Sequence, residues 1–205
     1  MTAGSGVLHD ELPTERMYRE GGPFHAVQLW VNLPRAEKMA DPRYQTIAAD
    51  SLALLTSDDG GALIRVIAGE IGSLRGPGET HTPLIYAHAT VERGARLEVS
   101  WPAEFRAFAY ALSGYGFVGA DRQPLDPDQL AVFGPGDHIV VRAADDQTEP
   151  LEILLLGGLP LHEPIAHYGP FVMNTRDEIL EAIEDFRAGR FGAVPEDQLD
   201  DRSSA

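Results

Sequence analysis

The stretch Leu52-Ala-Leu-Leu-Thr-Ser-Asp-Asp-Gly-Gly-Ala-Leu-Ile-Arg-Val-Ile67 indicates the fold class of this chain. Two apolar runs, residues 52–55 and 63–67, flank the turn-forming residues Ser57-Asp-Asp-Gly-Gly61. Aspartate and glycine accept the backbone angles of tight hairpin turns, and β-branched residues favour strands. The stretch therefore predicts a β-hairpin.

The same alternation of short apolar runs and turn residues continues towards the C-terminus. The further predicted strands are residues 84–91, 96–99, 105–112, 116–118, 129–133, 139–142 and 151–156. In the last of them, Ile153-Leu-Leu-Leu156 is typical of a strand buried on both faces. Many short strands separated by turns predict an all-β chain folded as a jelly roll or β-barrel.

Upstream of the hairpin, residues 24–33 alternate in a way that predicts another strand. One side-chain set, which includes His25, is otherwise apolar, and we expect that face to lie in a core. A core histidine with a hydrogen-bonding neighbour is favoured for His25 over a ligand role. Pro34 ends the predicted strand.

One segment near the C-terminus has the pattern of an amphipathic helix. Thr175 and Glu178 have the spacing of a capping box, and Gly189 is suited to the C-terminal end. The predicted apolar stripe consists of Ile179, Leu180, Ile183 and Phe186. We therefore expect a single C-terminal α-helix after the strands.

The composition of the 205 residues excludes several functions. The net charge is −16 and Lys38 is the only lysine, so direct nucleic-acid binding is not expected, although a basic protein partner is compatible with this charge. The chain has no cysteine, which excludes thiolate metal sites. No stretch approaches the ~20 apolar residues of a membrane span. A cytoplasmic protein without a membrane segment is the expectation.

The first fifteen residues, Met1-Thr-Ala-Gly-Ser-Gly-Val-Leu-His-Asp-Glu-Leu-Pro-Thr-Glu15, contain a candidate for half of a metal site. In an extended strand His9 and Glu11 project to the same face. An imidazole beside a carboxylate is a mixed N/O donor pair that iron, manganese or zinc accepts. The alternative from spacing alone is a surface histidine and glutamate near a terminus.

Several motifs in this chain occur in the same order in a known family. They are Thr2-Ala-Gly-Ser-Gly-Val-Leu-His-Asp-Glu11, Gln28-Leu-Trp-Val-Asn-Leu-Pro34, Gly157-Gly-Leu-Pro-Leu-His-Glu-Pro164 and Tyr168-Gly-Pro-Phe-Val-Met-Asn-Thr175. With these motifs the chain resembles the pirin family of the cupin superfamily from Met1 to about Gly192. Pirins are bicupins, with two β-barrel domains and a single metal, usually iron, in the N-terminal barrel.

The resemblance implies three regions. Residues 1–45 are expected to be a remnant of the N-terminal cupin domain, residues 46–192 a complete C-terminal cupin domain without metal, and residues 193–205 an acidic disordered tail. The implied fold is therefore all-β, with one complete cupin barrel, one partial barrel and one C-terminal α-helix. We also expect the first forty or so residues to be poorly anchored, because a barrel that lacks strands has unpaired edges.

The family's metal is held by three histidines and a glutamate, and His9 and Glu11 match the last two of these ligands. The first two histidines come from a His-x-His on an earlier strand, and this sequence contains no His-x-His. Met1 aligns with a methionine that is often internal in pirins. The hypothesis that follows is a truncated product or a mis-assigned gene start, with an incomplete ligand set for Fe(II) or another divalent metal.

The resemblance also implies an activity, iron-dependent quercetin 2,3-dioxygenation of a flavonol-type substrate. In that account His9 is a metal ligand, and Glu11 is a ligand that doubles as the base towards the substrate hydroxyl. The activity is expected to be impaired in this chain because two ligands are missing. The alternatives are a non-catalytic, iron-responsive regulatory module that binds a protein partner, as in transcription cofactors, and a structural remnant.

Overall fold

The computed structural model describes residues 1–9 and 15–193 of the chain. These residues form two compact units. One contains Gln45–Leu161, and the other contains the described residues of Met1–Tyr44 and His162–Ala205. The predicted acidic tail falls almost wholly outside the described residues.

The unit Gln45–Leu161 contains twelve strands, most of them at the positions that the apolar runs predict. They are β1 (Ala53–Thr56), β2 (Ala62–Ala68), β3 (Glu70–Ile71), β4 (Leu74–Arg75), β5 (Leu84–Val91), β6 (Arg96–Ser100), β7 (Arg106–Ser113), β8 (Gly116–Val118), β9 (Gln123–Leu125), β10 (Leu130–Val132), β11 (His138–Ala143) and β12 (Leu151–Gly158). A short 3₁₀ turn, Ala49–Ser51, precedes β1.

Most of these strands form two antiparallel sheets that enclose one core. The six-stranded sheet has the order β1-β2-β5-β12-β7-β10, and the four-stranded sheet has the order β6-β11-β8-β9. Along β5 every second residue is buried, from Ile85 to Val91. These side chains pack with Leu97, Ile139 and Val141 of the four-stranded sheet. The unit is therefore a jelly roll, and the all-β prediction is confirmed.

The hairpin from which the fold class was predicted is formed by β1 and β2. Leu54 lies opposite Arg65 and Thr56 opposite Leu63. In the turn, the Asp59 carboxylate accepts hydrogen bonds from the Ser57 hydroxyl at 2.7 Å and from the Gly61 amide at 2.9 Å. Gly60 adopts a φ of +71°, which glycine tolerates without the steric penalty of a Cβ.

The central strand β12 confirms the second sequence prediction. It is hydrogen-bonded to β5 on one side and to β7 on the other. Ile153 and Leu155 are 0% exposed and Leu154, which points to the opposite face, is 6% exposed. Leu156 is half-buried. A strand with apolar side chains on both faces thus lies in the middle of the six-stranded sheet.

The second unit contains two helices and a small hairpin. They are α1 (Glu15–Glu20), β13 (Ala166–Tyr168), β14 (Phe171–Met173) and α2 (Arg176–Arg187), with a 3₁₀ turn at Arg35–Glu37. The helix α2 packs against β13 and β14, and its capping box at Thr175 and Glu178 forms as predicted. The predicted C-terminal helix is confirmed as α2, and the structure adds the six-residue helix α1 near the N-terminus.

The predicted strand over residues 24–33 is wrong. These residues form no regular secondary structure, and most of their side chains, including His25, are exposed. The alternation that predicted the strand is present in the sequence. However, a strand needs a hydrogen-bonded neighbour, and the described part of the chain places none beside this segment.

The apolar stripe of α2 is only partly buried. Ile179 is buried and Ile183 is half-buried, whereas Leu180 is 50% and Phe186 is 51% exposed. The Phe186 ring lies 6.4 Å from that of Phe171 and 6.0 Å from that of Phe191, measured between centroids. Within the described residues, no helix is long and apolar enough to cross a membrane.

Candidate functional site

The glycine turn that precedes the predicted metal ligands is held by backbone contacts. The Thr2 amide donates to the Arg43 carbonyl at 2.7 Å, and the Ser5 amide donates to the Ala40 carbonyl at 2.9 Å. Gly4 has a φ of +52°, and a Cβ at this position would overlap the Ala40 carbonyl oxygen. The first residues are therefore held against residues 40–43 inside their own unit, and the expectation that the first forty or so residues are poorly anchored stays a prediction.

His9 follows this turn and is half-buried. No strand is assigned to it. Glu11 lies outside the described residues. The structure therefore locates one of the two predicted ligands and leaves their pairing as a prediction.

The other histidines are dispersed. His138 Nδ1 lies 2.7 Å from Asp137 Oδ1 and His88 Nε2 lies 2.7 Å from Glu152 Oε2, whereas His162 and His167 are exposed. Among residues 1–9 and 15–193, no three His, Asp or Glu side chains are placed to hold a metal ion together. The described donors therefore do not fit the complete iron site of the resemblance.

A buried lysine is the centre of the most developed polar cluster in the unit that contains His9. Lys38 is only 5% exposed. Its Nζ donates to Asn32 Oδ1 at 2.7 Å and to the Val172 carbonyl at 3.1 Å. Burial lowers the pKa of Lys38, while the carboxylates of Glu163 and Glu178 act in the opposite direction. Through these two hydrogen bonds, Lys38 links Asn32 to β14.

Two glutamates and an asparagine continue this cluster. Glu163 Oε2 accepts from the Arg35 amide at 2.7 Å and from Asn174 Nδ2 at 3.0 Å. Glu178 accepts from the Arg35 guanidinium at 2.8 Å and from the Asn174 amide at 2.9 Å. Asn174 is 5% exposed. We call Arg35, Lys38, Glu163, Asn174 and Glu178 the lysine cluster.

The sequence reasoning missed the lysine cluster. Glu163 and Asn174 lie in the quoted motifs but had no role assigned to them, and Glu178 was assigned only to the capping box of α2. The available signal was Lys38, the single lysine of a chain with net charge −16. Its hydrogen bonds link Arg35 and Lys38 to β14 and to the start of α2, so its evident role is structural.

A second polar cluster lies on β2, β5 and β12, on the face of the six-stranded sheet opposite the core. His88 Nε2 contacts Glu152 Oε2 at 2.7 Å, and the Thr90 hydroxyl donates to the same oxygen at 2.9 Å. Arg65 Nη1 donates to Thr90 Oγ1 at 2.9 Å and lies 3.4 Å from His88 Nδ1. These four residues form a closed ring of hydrogen bonds, the histidine ring cluster.

The geometry of the histidine ring cluster defines the state of the imidazole. A guanidinium can only donate, so His88 Nδ1 is the acceptor and Nε2 carries the proton towards Glu152. A neutral imidazole is consistent with a lowered pKa of His88. Burial is the largest cause of that shift, the Arg65 charge adds to it, and Glu152 opposes it. The four residues hydrogen-bond to one another in this ring.

Taken together, the two sheets around one core define the class of this protein as a cupin-type jelly roll with additional segments at both ends. The comparisons with known proteins refine this class. The family model described as the Pirin C-terminal cupin domain matches residues 86–192. The chain belongs to the pirin family.

Known relatives cover almost all of this chain. Pirin of Rattus norvegicus is 38% identical over 194 residues, which are 94% of this chain and 64% of that protein. Pirin-like protein 2 of Arabidopsis thaliana is 36% identical over 196 residues, 94% of this chain and 59% of that protein. The crystal structure of quercetin 2,3-dioxygenase from Acinetobacter baumannii matches with a TM-score of 0.75 at 36% identity, and covers 81% of this chain and 56% of that one. This chain thus spans less than two thirds of each.

Proposed function

We propose that the family-type activity of this chain is iron-dependent quercetin 2,3-dioxygenation, to which it contributes two ligands, His9 and Glu11, of an incomplete iron site. The solved relative from Acinetobacter baumannii, a quercetin 2,3-dioxygenase, supports the reaction and the flavonol class of substrate. The histidines of the sequence support the second part of the proposal, that the iron site is incomplete. The seven histidines include no His-x-His pair.

An incomplete ligand set predicts weak iron binding and low oxygenase activity for this chain. Two donors leave most of the coordination sphere of iron to water, and such a pair holds a divalent metal only weakly. Among the described residues, which do not include Glu11, no three His, Asp or Glu side chains are grouped to hold a metal. We therefore expect weak iron binding and little turnover from this polypeptide, and an active centre only where further polypeptide supplies the missing imidazoles.

Iron binding tests the assignment of the two ligands. Anaerobic Fe(II) titration of the wild-type chain is compared with His9→Ala, Glu11→Gln and the control His25→Ala, which removes an exposed histidine of the same unit. We expect weak binding in the wild type, no change in His25→Ala, and a loss in both ligand variants. Unchanged Fe(II) affinity in His9→Ala would show that His9 is not an iron ligand.

The second candidate is a non-catalytic, iron-responsive module that binds a protein partner. The net charge of −16, with one lysine in the chain, favours a basic partner. This function requires that binding of a lysine-rich peptide changes when Fe(II) is added and oxidised. A peptide affinity that does not respond to iron would count against it, whatever the oxygenase assay shows.

A further inference from the structure

The edge strand β10 has a row of backbone groups without a neighbouring strand. The Phe133 amide donates to the Ala107 carbonyl at 3.0 Å, and the Ala111 amide donates to the Gln129 carbonyl at 3.1 Å. Because bonding alternates along an antiparallel pair, the amides and carbonyls of Leu130 and Val132 point away from β7. The described residues place no strand on that side of β10.

A groove runs along the same edge. It has a volume of about 510 Å³ and lies between β10 and β9, the edge strand of the other sheet. Its lining includes Val118 and Leu125, which belong to the core, and the half-buried Ala131 and Phe133. Leu130 is 53% and Val132 is 68% exposed beside it. In a strand added here, every second side chain would point into the groove, and the side chains between them would lie beside Leu130 and Val132.

This edge lacks most of the features that protect sheet edges in proteins. Residues 130–132 are Leu-Ala-Val, with no charge, proline or bulge to oppose pairing with another chain. Shortness is the one protective feature, since β10 has three residues. The edge is therefore open to strand addition.

The charges around the groove indicate what kind of strand fits. Exposed carboxylates of Asp121, Asp126 and Asp128 adjoin the lining residues in sequence. The one cation of this loop, Arg122, lies with its guanidinium 5.1 Å from the centre of the Phe117 ring. With the net charge of −16, this surface attracts a basic segment and repels a second copy of the chain.

From these observations we propose that the β10 edge and its groove bind an extended segment of a basic partner protein by strand addition. The segment has apolar side chains at alternate positions, which enter the groove, and lysine or arginine next to them, which meets the carboxylates. The inference shares a basic partner with the second candidate function but does not depend on iron, because no residue of the groove is a predicted metal ligand.

A proline at the edge tests the proposal without disturbing the sheet. Val132→Pro removes an outward amide and leaves the bonds of β10 to β7, because edge strands tolerate proline where the amide faces solvent. The matched control is Leu54→Pro in β1, the opposite edge strand, where Leu54 is 58% exposed. The Ser57 amide donates to the Ala62 carbonyl, so by alternation the Leu54 amide also points outward.

The probe is a displayed library of random linear peptides selected on the wild-type chain. We expect enriched sequences that alternate apolar residues and carry lysine or arginine. Synthetic versions should bind the wild type and Leu54→Pro equally, and Val132→Pro at least about tenfold more weakly. Amide spectra of the three proteins report whether each variant is folded.

Three results would overturn the proposal. The first is the absence of any peptide that prefers the wild type over a folded Val132→Pro. The second is enrichment of acidic sequences, or of sequences with helical rather than alternating periodicity. The third is a concentration-dependent dimer in sedimentation that Val132→Pro abolishes, since a second copy would then occupy the edge.

Discussion

At the scale of single residues, the structure assigns clear roles to two side chains that the sequence analysis treated as unremarkable. Lys38 donates to Asn32 and Val172 from a position that is 5% exposed. His88 belongs to a closed ring with Arg65, Thr90 and Glu152. Lys38 is buried and His88 is half-buried, each with its partners in place, and removing one partner leaves desolvated groups unpaired.

Replacing Lys38 tests the lysine cluster. Lys38→Met keeps most of the side-chain volume but leaves Asn32 Oδ1 and the Val172 carbonyl without their donor, which is expected to destabilise this unit by about 1–3 kcal/mol. Hydrogen exchange of the amides of β14 and α2 measures the loss. Arg176→Met, which removes an exposed cation of α2, should leave exchange unchanged. Equal protection of these amides from exchange in Lys38→Met and in the wild type would show that the lysine cluster does not contribute to stability.

The histidine ring cluster makes a prediction about pH. The pKa of His88 is expected to lie below its ordinary value of 6.5. Between the folded-state pKa and the unfolded-state pKa of His88, the folded protein binds fewer protons than the unfolded protein. The contribution of the neutral His88 to the free energy of unfolding is therefore complete above pH 6.5 and is lost as the pH falls through the folded-state pKa. Arg65→Met should raise the pKa. An imidazole NMR titration with a midpoint at or above 6.5 would contradict the neutral ring.

At the scale of elements, the sequence predicts most strands because each carries its own signal. The segment Leu84–Val91 alternates, and the structure has β5 with these bounds. Residues 24–33 alternate as well, but a strand also depends on a neighbour, which a local pattern does not contain. The pair β13 and β14 was not predicted from the sequence.

The close pairing of β12 and β7 depends on a glycine. A Cβ at Gly157 would overlap the Arg106 carbonyl oxygen in β7. Gly157→Ala must push the two strands apart, and we expect it to destabilise the chain by about 1–3 kcal/mol, as overpacking does. Gly134→Ala is the matched control, because a Cβ there meets nothing within 4 Å. Urea unfolding compares the two variants, and an equal effect would show that β12 and β7 can separate without cost.

At the scale of the whole molecule, the fold follows from the sequence more fully than the site does. The jelly roll is specified by many local signals that agree with one another, and it is confirmed. The proposed iron site needs donors beyond the proposed ligands His9 and Glu11, and no local pattern in the sequence identifies them. The lysine cluster was not predicted because its members come together only after residues 32–38 and 163–178 are folded into one unit.

The central claim is that this chain carries half of an iron site, and oxygen uptake with quercetin tests it most directly. The assay uses the purified chain with added Fe(II), and quercetin 2,3-dioxygenase from Acinetobacter baumannii serves as the positive control. We expect the chain to turn over quercetin at least about a hundredfold more slowly than the control, since the loss of even supporting groups around a metal costs about 10–100-fold. Iron-dependent turnover at a rate similar to the control, abolished by His9→Ala, would contradict the claim, because this sequence would then complete the site without a His-x-His.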